Sequence, residues 1–430
     1  MNKEILRLAI PNIISNISVP LLSTVDTALM GRLSEVHIGA VGVGAMIFNF
    51  IYWNFGFLRM GTTGITAQAY GKQDEALVIT TLGRAMVVVL VVAASLMVLQ
   101  YPLGELSFYL MNIDVGQLQL VAEYFYIRIW AAPASLALFA FMGWFFGMQN
   151  AIYPLILTIF INVINIVCSF FFVRSWGMEA DGVALGTVIA QYAGLLLAVG
   201  LFYHRYRYLL PKLQRAVVLQ WTALQRFLSL NFDIFIRTFC LTFAFGFFYS
   251  QSASLGELVL ASNVILLQYL NWMSYGVDGF AFAAEALVGK YAGASDDSQT
   301  KRAIRVAFVW GMGMAVFFSF LFWLFGVPLL HVFTNQADVI AITLPFLFWM
   351  VLFPIASTPC YIWDGVFIGL TAARSMRNAM ALAIIVYLAP FFYLKSAFGN
   401  HGLWLALLLF MLARAGFQWL WYWRKGLALD

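Results

Sequence analysis

The chain has 430 residues, of which 63% are hydrophobic and 10% are charged, and its mean hydropathy is +0.88. A soluble domain carries about 25% charged residues, so the composition excludes an ordinary soluble protein and indicates a polytopic membrane protein. The net charge of +5 does not indicate a nucleic-acid partner, because the basic residues lie in connections between apolar runs. The first apolar run is too long for a signal-peptide core and lacks a small-residue cleavage site, so we expect it to stay as a span.

Hydropathy predicts an all-α fold with twelve transmembrane helices of membrane-crossing length. In chain order we place these helices at residues 5–31, 39–70, 84–111, 118–146, 151–173, 182–204, 223–250, 257–290, 303–326, 341–370, 378–397 and 401–423. Several exceed the roughly 20 residues that a bilayer requires, which predicts tilt or extension beyond it.

Lys and Arg are concentrated in alternate connections. The largest cluster follows the sixth span and contains Arg205, Arg207, Lys212, Arg215 and Arg226. The opposite connections hold few basic residues. By the positive-inside rule, both termini are expected to be cytoplasmic, which agrees with an even number of spans.

The sequence also repeats itself at a shift of 222 positions. The first two spans overlay the seventh and eighth without a gap, so that Asn49 meets Asn271 and Asp74 meets Asp296. A repeat of six spans in the same orientation predicts two six-helix lobes related by a pseudo-two-fold axis along the membrane normal. We place the N-lobe at 1–204, a basic cytoplasmic linker at 205–222 and the C-lobe at 223–430. This symmetry favours a transporter with alternating access.

One carboxylate, Asp26, lies deep inside the first span. An ionisable group in hydrocarbon is costly, so it is a functional-site hypothesis by default. Pro11 and Pro20 precede it in the same run, and each removes a helix hydrogen bond and permits a bend. The run therefore predicts a helix with hinges at both prolines and a protonatable group inside it. The alternative is an Asp that is buried only for packing against a polar neighbour.

Polar residues on the fifth and sixth spans are candidate partners of this carboxylate. Asn162, Asn165 and Ser169 follow one face of the fifth span, and Thr187 lies on the sixth. Such a set can hold a proton network or contribute to a Na⁺ site. With one carboxylate, a dehydrated Na⁺ would be less well compensated, so the composition favours a proton.

The second half contributes further acids inside spans. Asp278 and Glu285 lie seven residues apart and share a face of the eighth span, with Glu285 nearer the water. Asp364 follows a proline in the tenth span. We assign all three to a substrate site or second cation site, with mutual packing as the alternative. Asp233 and Arg237, one turn apart, are predicted to form an internal ion pair.

Arg59 is a buried cation that needs either an acid or a backbone carbonyl as partner. The sequence shows no Walker A pattern, no zinc-ligand motif and no nucleophile elbow. We therefore expect neither an enzyme nor a metal or cofactor site; the coupling ion would be H⁺ or possibly Na⁺.

Three motifs resemble those of the multidrug and toxic compound extrusion (MATE) transporters, specifically the DinF branch. They lie at residues 25–27 (VDT), 56–69 (GFLRMGTTG followed by AQA) and 363–369 (WDGVFIG). The resemblance implies twelve helices in two lobes of a bacterial inner-membrane protein. It also implies export of lipophilic, often cationic, compounds driven by an H⁺ or Na⁺ gradient, with Asp26 as the coupling carboxylate.

The resemblance extends to individual site residues. Asp26, Asn165 and Thr187 match polar positions of the family's N-lobe site, and Asp364 matches the acidic position of the tenth helix. Ser169 stands where many relatives have a second Asp, which disfavours a family-style Na⁺ site in this lobe and favours protons.

Two other functions are compatible with the sequence. A flippase for a lipid-linked precursor has a related two-lobe fold but needs a basic cavity, for which Arg59, Arg237 and Arg414 are the candidates. The second alternative is a non-transporting membrane scaffold, in which the carboxylates inside the spans would be dispensable. As partners we expect small lipophilic or cationic substrates and membrane lipids, no nucleic acid, and a monomer.

Overall fold

The computed structural model describes residues 1–30 and 35–427; for residues 19–30, 35–38 and 115 it describes the backbone alone. Every regular element in this part of the chain is helical. The first half contains α1 (Asn2–Met30), α2 (Glu35–Asn54), α3 (Phe57–Gly71), α4 (Glu75–Val98), α5 (Gln100–Leu110), α6 (Val115–Arg128), α7 (Ala132–Gly147), α8 (Ile152–Ser175), α9 (Ala180–Tyr206) and α10 (Arg215–Val218). The second half contains α11 (Trp221–Ala253), α12 (Glu257–Gly293), α13 (Asp297–Phe333), α14 (Ala337–Thr343), α15 (Leu347–Gly369), α16 (Ala373–Leu388), α17 (Phe391–Phe398) and α18 (Asn400–Lys425).

These helices account for the predicted spans. In the described part of the chain, ten helical stretches of 24 to 37 residues are apolar enough to cross a membrane, and each overlaps a predicted span. The first and eighth predicted spans are helical as α1 and α12. The prediction of an all-α polytopic membrane protein with two six-helix halves is confirmed.

Several predicted spans consist of two helices separated by a short break. A 3₁₀ turn at Ile129–Ala131 separates α6 from α7, whose first turn contains a proline. A second 3₁₀ turn, Leu344–Phe346, separates α14 from α15 and also contains a proline. Proline is tolerated there because the first turn of a helix leaves its N–H groups unbonded in any case.

The turns of the two halves are equivalent at a shift of 222 residues. Gln73 and Ser295 both have a positive φ, of 58° and 57°, and so do Gln149 and Thr371, with 61° and 56°. Asp74 caps the N-terminus of α4 by accepting a hydrogen bond from the N–H three residues later. Its counterpart at 296 caps α13 in the same way, and both distances are 2.9 Å. The repeat predicted from the sequence is therefore a repeat of structure.

The contacts divide the chain into two compact units. The N-terminal unit is Ile14–Leu228, and the C-terminal unit is Met1–Ile13 together with Ser229–Asp430. Helix α1 thus contributes to both units, and the division falls two residues after Pro11. The helix is continuous through this point and through Pro20.

The first turn of α1 is bound to the C-terminal unit through Glu4. The Glu4 carboxylate pairs with the Lys290 ammonium at 3.2 Å and accepts hydrogen bonds from the Tyr291 hydroxyl at 3.0 and 3.1 Å. The Met1 amine lies 3.2 Å from the same carboxylate. These contacts fasten the start of the chain to the end of α12.

The predicted linker is an ordered part of the N-terminal unit. It forms a 3₁₀ turn at Arg207–Lys212 and the short helix α10. Arg84 of α4 donates a hydrogen bond to the Val217 carbonyl at 3.0 Å, and Lys212 pairs with Glu75. The predicted lobe boundaries themselves stay a prediction.

An aromatic core joins three helices of the N-terminal unit. Trp144, fully buried, donates a hydrogen bond from its indole N–H to the Val78 carbonyl at 2.9 Å. The rings of Phe145, Phe202 and Tyr206 pack around it with centroids 4.9 to 5.7 Å away. This cluster joins α4, α7 and α9, and α9 carries one of the polar residues described next, Thr187.

Candidate functional site

A buried amide–hydroxyl pair joins α8 and α9 in the N-terminal unit. Asn165 donates a hydrogen bond from Nδ2 to Thr187 Oγ1 at 2.9 Å, and Thr187 donates in turn to the Val183 carbonyl at 2.9 Å. Asn165 is 1% exposed. Two of the residues that the sequence proposed as partners of Asp26 are therefore in contact with each other.

Polar contacts also join α1 to α8. Ser15 donates a hydrogen bond to Thr158 at 2.9 Å. One turn further along both helices, the Asn162 amide donates to the Ser18 carbonyl at 3.3 Å and to its hydroxyl at 3.2 Å. Residue numbers rise together along the two helices, so α1 and α8 run parallel at this seam.

Two buried polar atoms beyond this seam have no hydrogen-bond partner among the described residues. They are Asn165 Oδ1 and Ser169 Oγ. Ser169 is fully buried, and its backbone and hydroxyl lie so close to Gly186 that a Cβ there would come within 2.8 Å of Oγ. Buried polar atoms are normally hydrogen-bonded, so an unfilled acceptor and an unfilled hydroxyl together indicate a place for another polar group.

The side chains of Asp26 and Pro20 lie outside the described residues, although α1 is helical at both positions. Their predicted roles stay predictions. Pro11 is described, and it lies in the part of α1 that belongs to the C-terminal unit.

In the C-terminal unit, Asp364 of α15 is the centre of a buried charge network. Its Oδ2 accepts hydrogen bonds from Arg237 of α11 and, at 2.7 Å, from Arg414 of α18. Its Oδ1 accepts one from Gln418 Nε2 at 2.6 Å. The two arginines are 6% and 1% exposed. Three helices thus meet at one carboxylate, with a formal charge of +1 for the two arginines and the acid.

The predicted ion pair between Asp233 and Arg237 is wrong. Arg237 turns to Asp364, whereas Asp233 pairs with Arg377 and lies 3.9 Å from Arg374. Spacing along one helix made the first pair plausible, but the tertiary packing places Arg237 against the carboxylate of Asp364 on α15 instead. Arg377 reaches Asp233 from the start of α16.

Asp278 and Glu285 of α12 do not have the exposures that their order along the helix suggested. Glu285, which was expected to lie nearer the water, is 1% exposed, so simple contact with water does not account for it. Asp278 is half-buried and lies close enough to Arg237 to interact with it electrostatically. Asp278 and Glu285 therefore share a face of α12 but differ in burial.

Arg59, whose partner the sequence left open, is half-buried, and its guanidinium lies 6.0 Å from the centre of the Phe146 ring. That distance is typical of a cation–π contact. The sequence reasoning missed Gln418 and did not assign Arg414 to Asp364. An Arg inside an apolar span was the available signal, because such a cation needs a nearby acid.

Comparisons with known proteins agree with this fold. The model of the MatE family matches residues 11–171 and again residues 234–394, in accordance with the internal repeat. DNA damage-inducible protein F of Escherichia coli is 37% identical over 99% of this chain and 93% of its own length. A probable multidrug resistance protein NorM of Pasteurella multocida is 23% identical over 94% of this chain and 89% of its own length.

A solved structure shows the same fold. The Vibrio cholerae MATE transporter VcmN, in its bent form, superposes with a TM-score of 0.85 at 19% identity. The match covers 98% of this chain and 96% of VcmN. Because the family model matches both halves and the Escherichia coli relative matches the whole length, the chain belongs to the MatE family of multidrug and toxic compound extrusion transporters, in its DinF branch.

Proposed function

We propose that this chain is a proton-coupled antiporter that exports lipophilic, often cationic, small molecules, with Asp26 as the coupling carboxylate. We place it in a bacterial inner membrane with both termini in the cytoplasm. Na⁺ is the less favoured coupling ion. The observation that carries the proposal is the pair of unfilled buried atoms, Asn165 Oδ1 and Ser169 Oγ.

The seam between α1 and α8 supports a meeting of Asp26 with these atoms. Ser15 is level with Thr158, and Ser18 is level with Asn162. Two further turns along parallel helices bring position 26 of α1 level with Ser169, because residues seven or eight apart return to the same face. This argument uses only helix geometry.

The two unfilled atoms suit both protonation states of a carboxyl group. An ionised carboxylate only accepts hydrogen bonds, and the Ser169 hydroxyl has a proton to donate. A protonated carboxyl group has one proton to donate, and Asn165 Oδ1 is an acceptor. Binding of a proton would thus exchange one hydrogen bond for the other and remove a negative charge.

This exchange offers a route to alternating access. The part of α1 before Ile14 belongs to one unit and the part after it to the other, so a bend at Pro11 or Pro20 would alter how α1 is held. Coupling requires that proton and substrate have different affinities for the two arrangements. An ionised Asp26 would favour a cationic substrate, and the proton would displace it.

Efflux with separately imposed gradients tests the proposal. Everted vesicles that contain the protein would receive a fluorescent lipophilic cation on their outer side, which is the cytoplasmic face, together with either a pH gradient or a Na⁺ gradient. Export is then measured as uptake of the cation into the vesicles. We expect flux with the pH gradient alone. Flux that requires Na⁺ would reject proton coupling, and an absence of flux under both gradients would reject the substrate class.

No observation favours the lipid-linked precursor flippase. Two of its three candidate cations, Arg237 and Arg414, are bound to Asp364. The basic cavity that a pyrophosphate requires therefore has little support from these side chains.

A further inference from the structure

The buried carboxylate of Asp364 has little capacity left for a ligand. Both of its oxygens accept hydrogen bonds, one from two guanidinium groups and the other from Gln418. These donors come from two other helices, α11 and α18. About three of the four acceptor sites of the carboxylate are thus occupied, so a proton or a metal cation would compete with these donors for it.

Displacement of an arginine would itself be costly. Arg237 and Arg414 are nearly fully buried. A guanidinium group keeps its charge at any physiological pH and has no acceptor atom. If Asp364 bound a cation, the two buried arginines would lose the carboxylate to which both are hydrogen-bonded, and weakening the partner of a buried charge is strongly unfavourable.

We infer that Arg237 and Arg414 act as built-in counter-ions that exclude Asp364 from binding the coupling cation. They are specificity-determining residues in this sense: without them the C-terminal unit would offer a free buried carboxylate. The inference rests on the proposed function only where it speaks of a coupling cation. The hydrogen bonds that occupy the Asp364 carboxylate are a property of the protein in the absence of transport.

The other groups near Asp364 do not compete for this role. Asp278 of α12 interacts electrostatically with Arg237 and supplies a second negative charge to the network. Cys360 and Tyr361, on α15 itself, interact with both arginines, and Cys240 of α11 with one of them. The two residues of α13 that contact the neighbours of Asp364 are not titratable: Phe308 packs on Trp363 and Gly311 on Ile362.

Infrared difference spectroscopy of the purified protein during a pH titration tests the inference, because a protonated carboxyl group has its own carbonyl band. Four proteins would be compared: wild type, Arg237→Gln/Arg414→Gln, the same pair with Asp364→Asn, and the conservative pair Arg237→Lys/Arg414→Lys. All four retain Asp26.

We expect wild type and the triple variant to show the same number of titrating carboxyl groups, and the conservative pair to match wild type. The Gln pair should show one additional group, which the added Asp364→Asn removes. The inference would be overturned if wild type showed one more titrating carboxyl group than the triple variant. This comparison does not depend on whether the Gln pair folds. A folded Gln pair with no additional group would also overturn it.

The same experiment tests the proposed function independently of the inference about Asp364. The band of Asp26 should be present in all four proteins and absent from each after Asp26→Asn. If no band depended on Asp26, proton coupling through that residue would be rejected, whereas the comparison at Asp364 would still stand.

Discussion

Gly143 and Gly365, which lie 222 residues apart, make the same helix crossing in the two halves. A Cβ on Gly143 would lie 2.2 Å from the Arg59 carbonyl oxygen, and a Cβ on Gly365 would lie 2.2 Å from the Ala281 carbonyl oxygen. Glycine lets the α3–α7 pair and the α12–α15 pair approach backbone to backbone. In membrane proteins, small residues at such crossings stabilise helix pairs because little hydrophobic driving force acts between helices.

Alanine at either glycine should destabilise the protein. The obstacle is backbone, which cannot move like a flexible side chain, so Gly143→Ala and Gly365→Ala should each cost about 1–3 kcal/mol. The thermal midpoint of unfolding in detergent would measure the loss. Gly313→Ala is the matched control, because nothing lies within 4 Å of its added Cβ. Equal midpoints for control and test variants would contradict the close crossing.

A second carboxylate beside the proposed proton site should change the coupling ion. Ser169→Asp places an acid next to the Asn165–Thr187 pair, and two carboxylates compensate a dehydrated Na⁺ better than one. We expect efflux to become stimulated by Na⁺ by at least about fivefold, which corresponds to a coupling free energy of about 1 kcal/mol. Ser169→Asn adds the same bulk without charge and should remain insensitive to Na⁺. Sodium stimulation of both variants would contradict the argument from charge.

The two arginines near Asp233 should differ in their effect on stability. Arg377 contacts the buried carboxylate directly, whereas Arg374 lies 3.9 Å away and is 70% exposed. Arg377→Gln should cost about 1.5–3 kcal/mol, because it removes a hydrogen bond to a buried charge. Arg374→Gln should cost at most about 1 kcal/mol. Thermal unfolding of the two variants makes the comparison, and an equal loss would contradict the assignment.

Glu4 gives the attachment of α1 a pH dependence. Burial raises the pKa of Glu4, but hydrogen bonds from the Met1 amine, Tyr291 and Lys290 outweigh burial, so the pKa lies below its ordinary value of 4.5. A lowered carboxyl pKa stabilises the folded state above the ordinary pKa, and this stabilisation is lost as the pH falls through the folded-state pKa.

The Glu4→Gln variant should therefore unfold at a lower temperature than wild type at pH 7, with a difference of up to about 1 kcal/mol because the group is partly exposed. The two proteins should converge as the pH falls below 4.5. Thermal unfolding measured from neutral pH downwards tests this, and a difference that grows towards acid would contradict the sign.

The sequence predicted the helices and their repeat because both leave local signals. The length of the apolar runs predicts the spans, and the repeat at a shift of 222 residues is seen in identical residues at equivalent positions, such as Asp74 and Asp296. The same reasoning selected Asn165 and Thr187 as polar residues inside apolar helices, which need partners on neighbouring helices. That these two bond to each other was not predicted.

The partners in the charge network could not be predicted in this way. Asp233 and Arg237 are one turn apart, and that spacing permits a pair on an isolated helix. Which acid an arginine reaches depends on how α11, α15 and α18 pack, and Arg237 and Asp364 are 127 residues apart in sequence. The burial of Glu285 likewise follows from tertiary packing rather than from its place on α12.

The central claim is that Asp26 carries the coupling proton. It is tested most directly in proteoliposomes with an imposed pH gradient, by comparing wild type, Asp26→Asn, Asp26→Glu and the control Asp338→Asn, which neutralises an exposed acid. We expect Asp26→Asn to fold and insert into the membrane but to lose gradient-driven efflux. Asp26→Glu should retain a measurable part of this efflux, and the control should match wild type. Full gradient-driven efflux by Asp26→Asn would contradict the account.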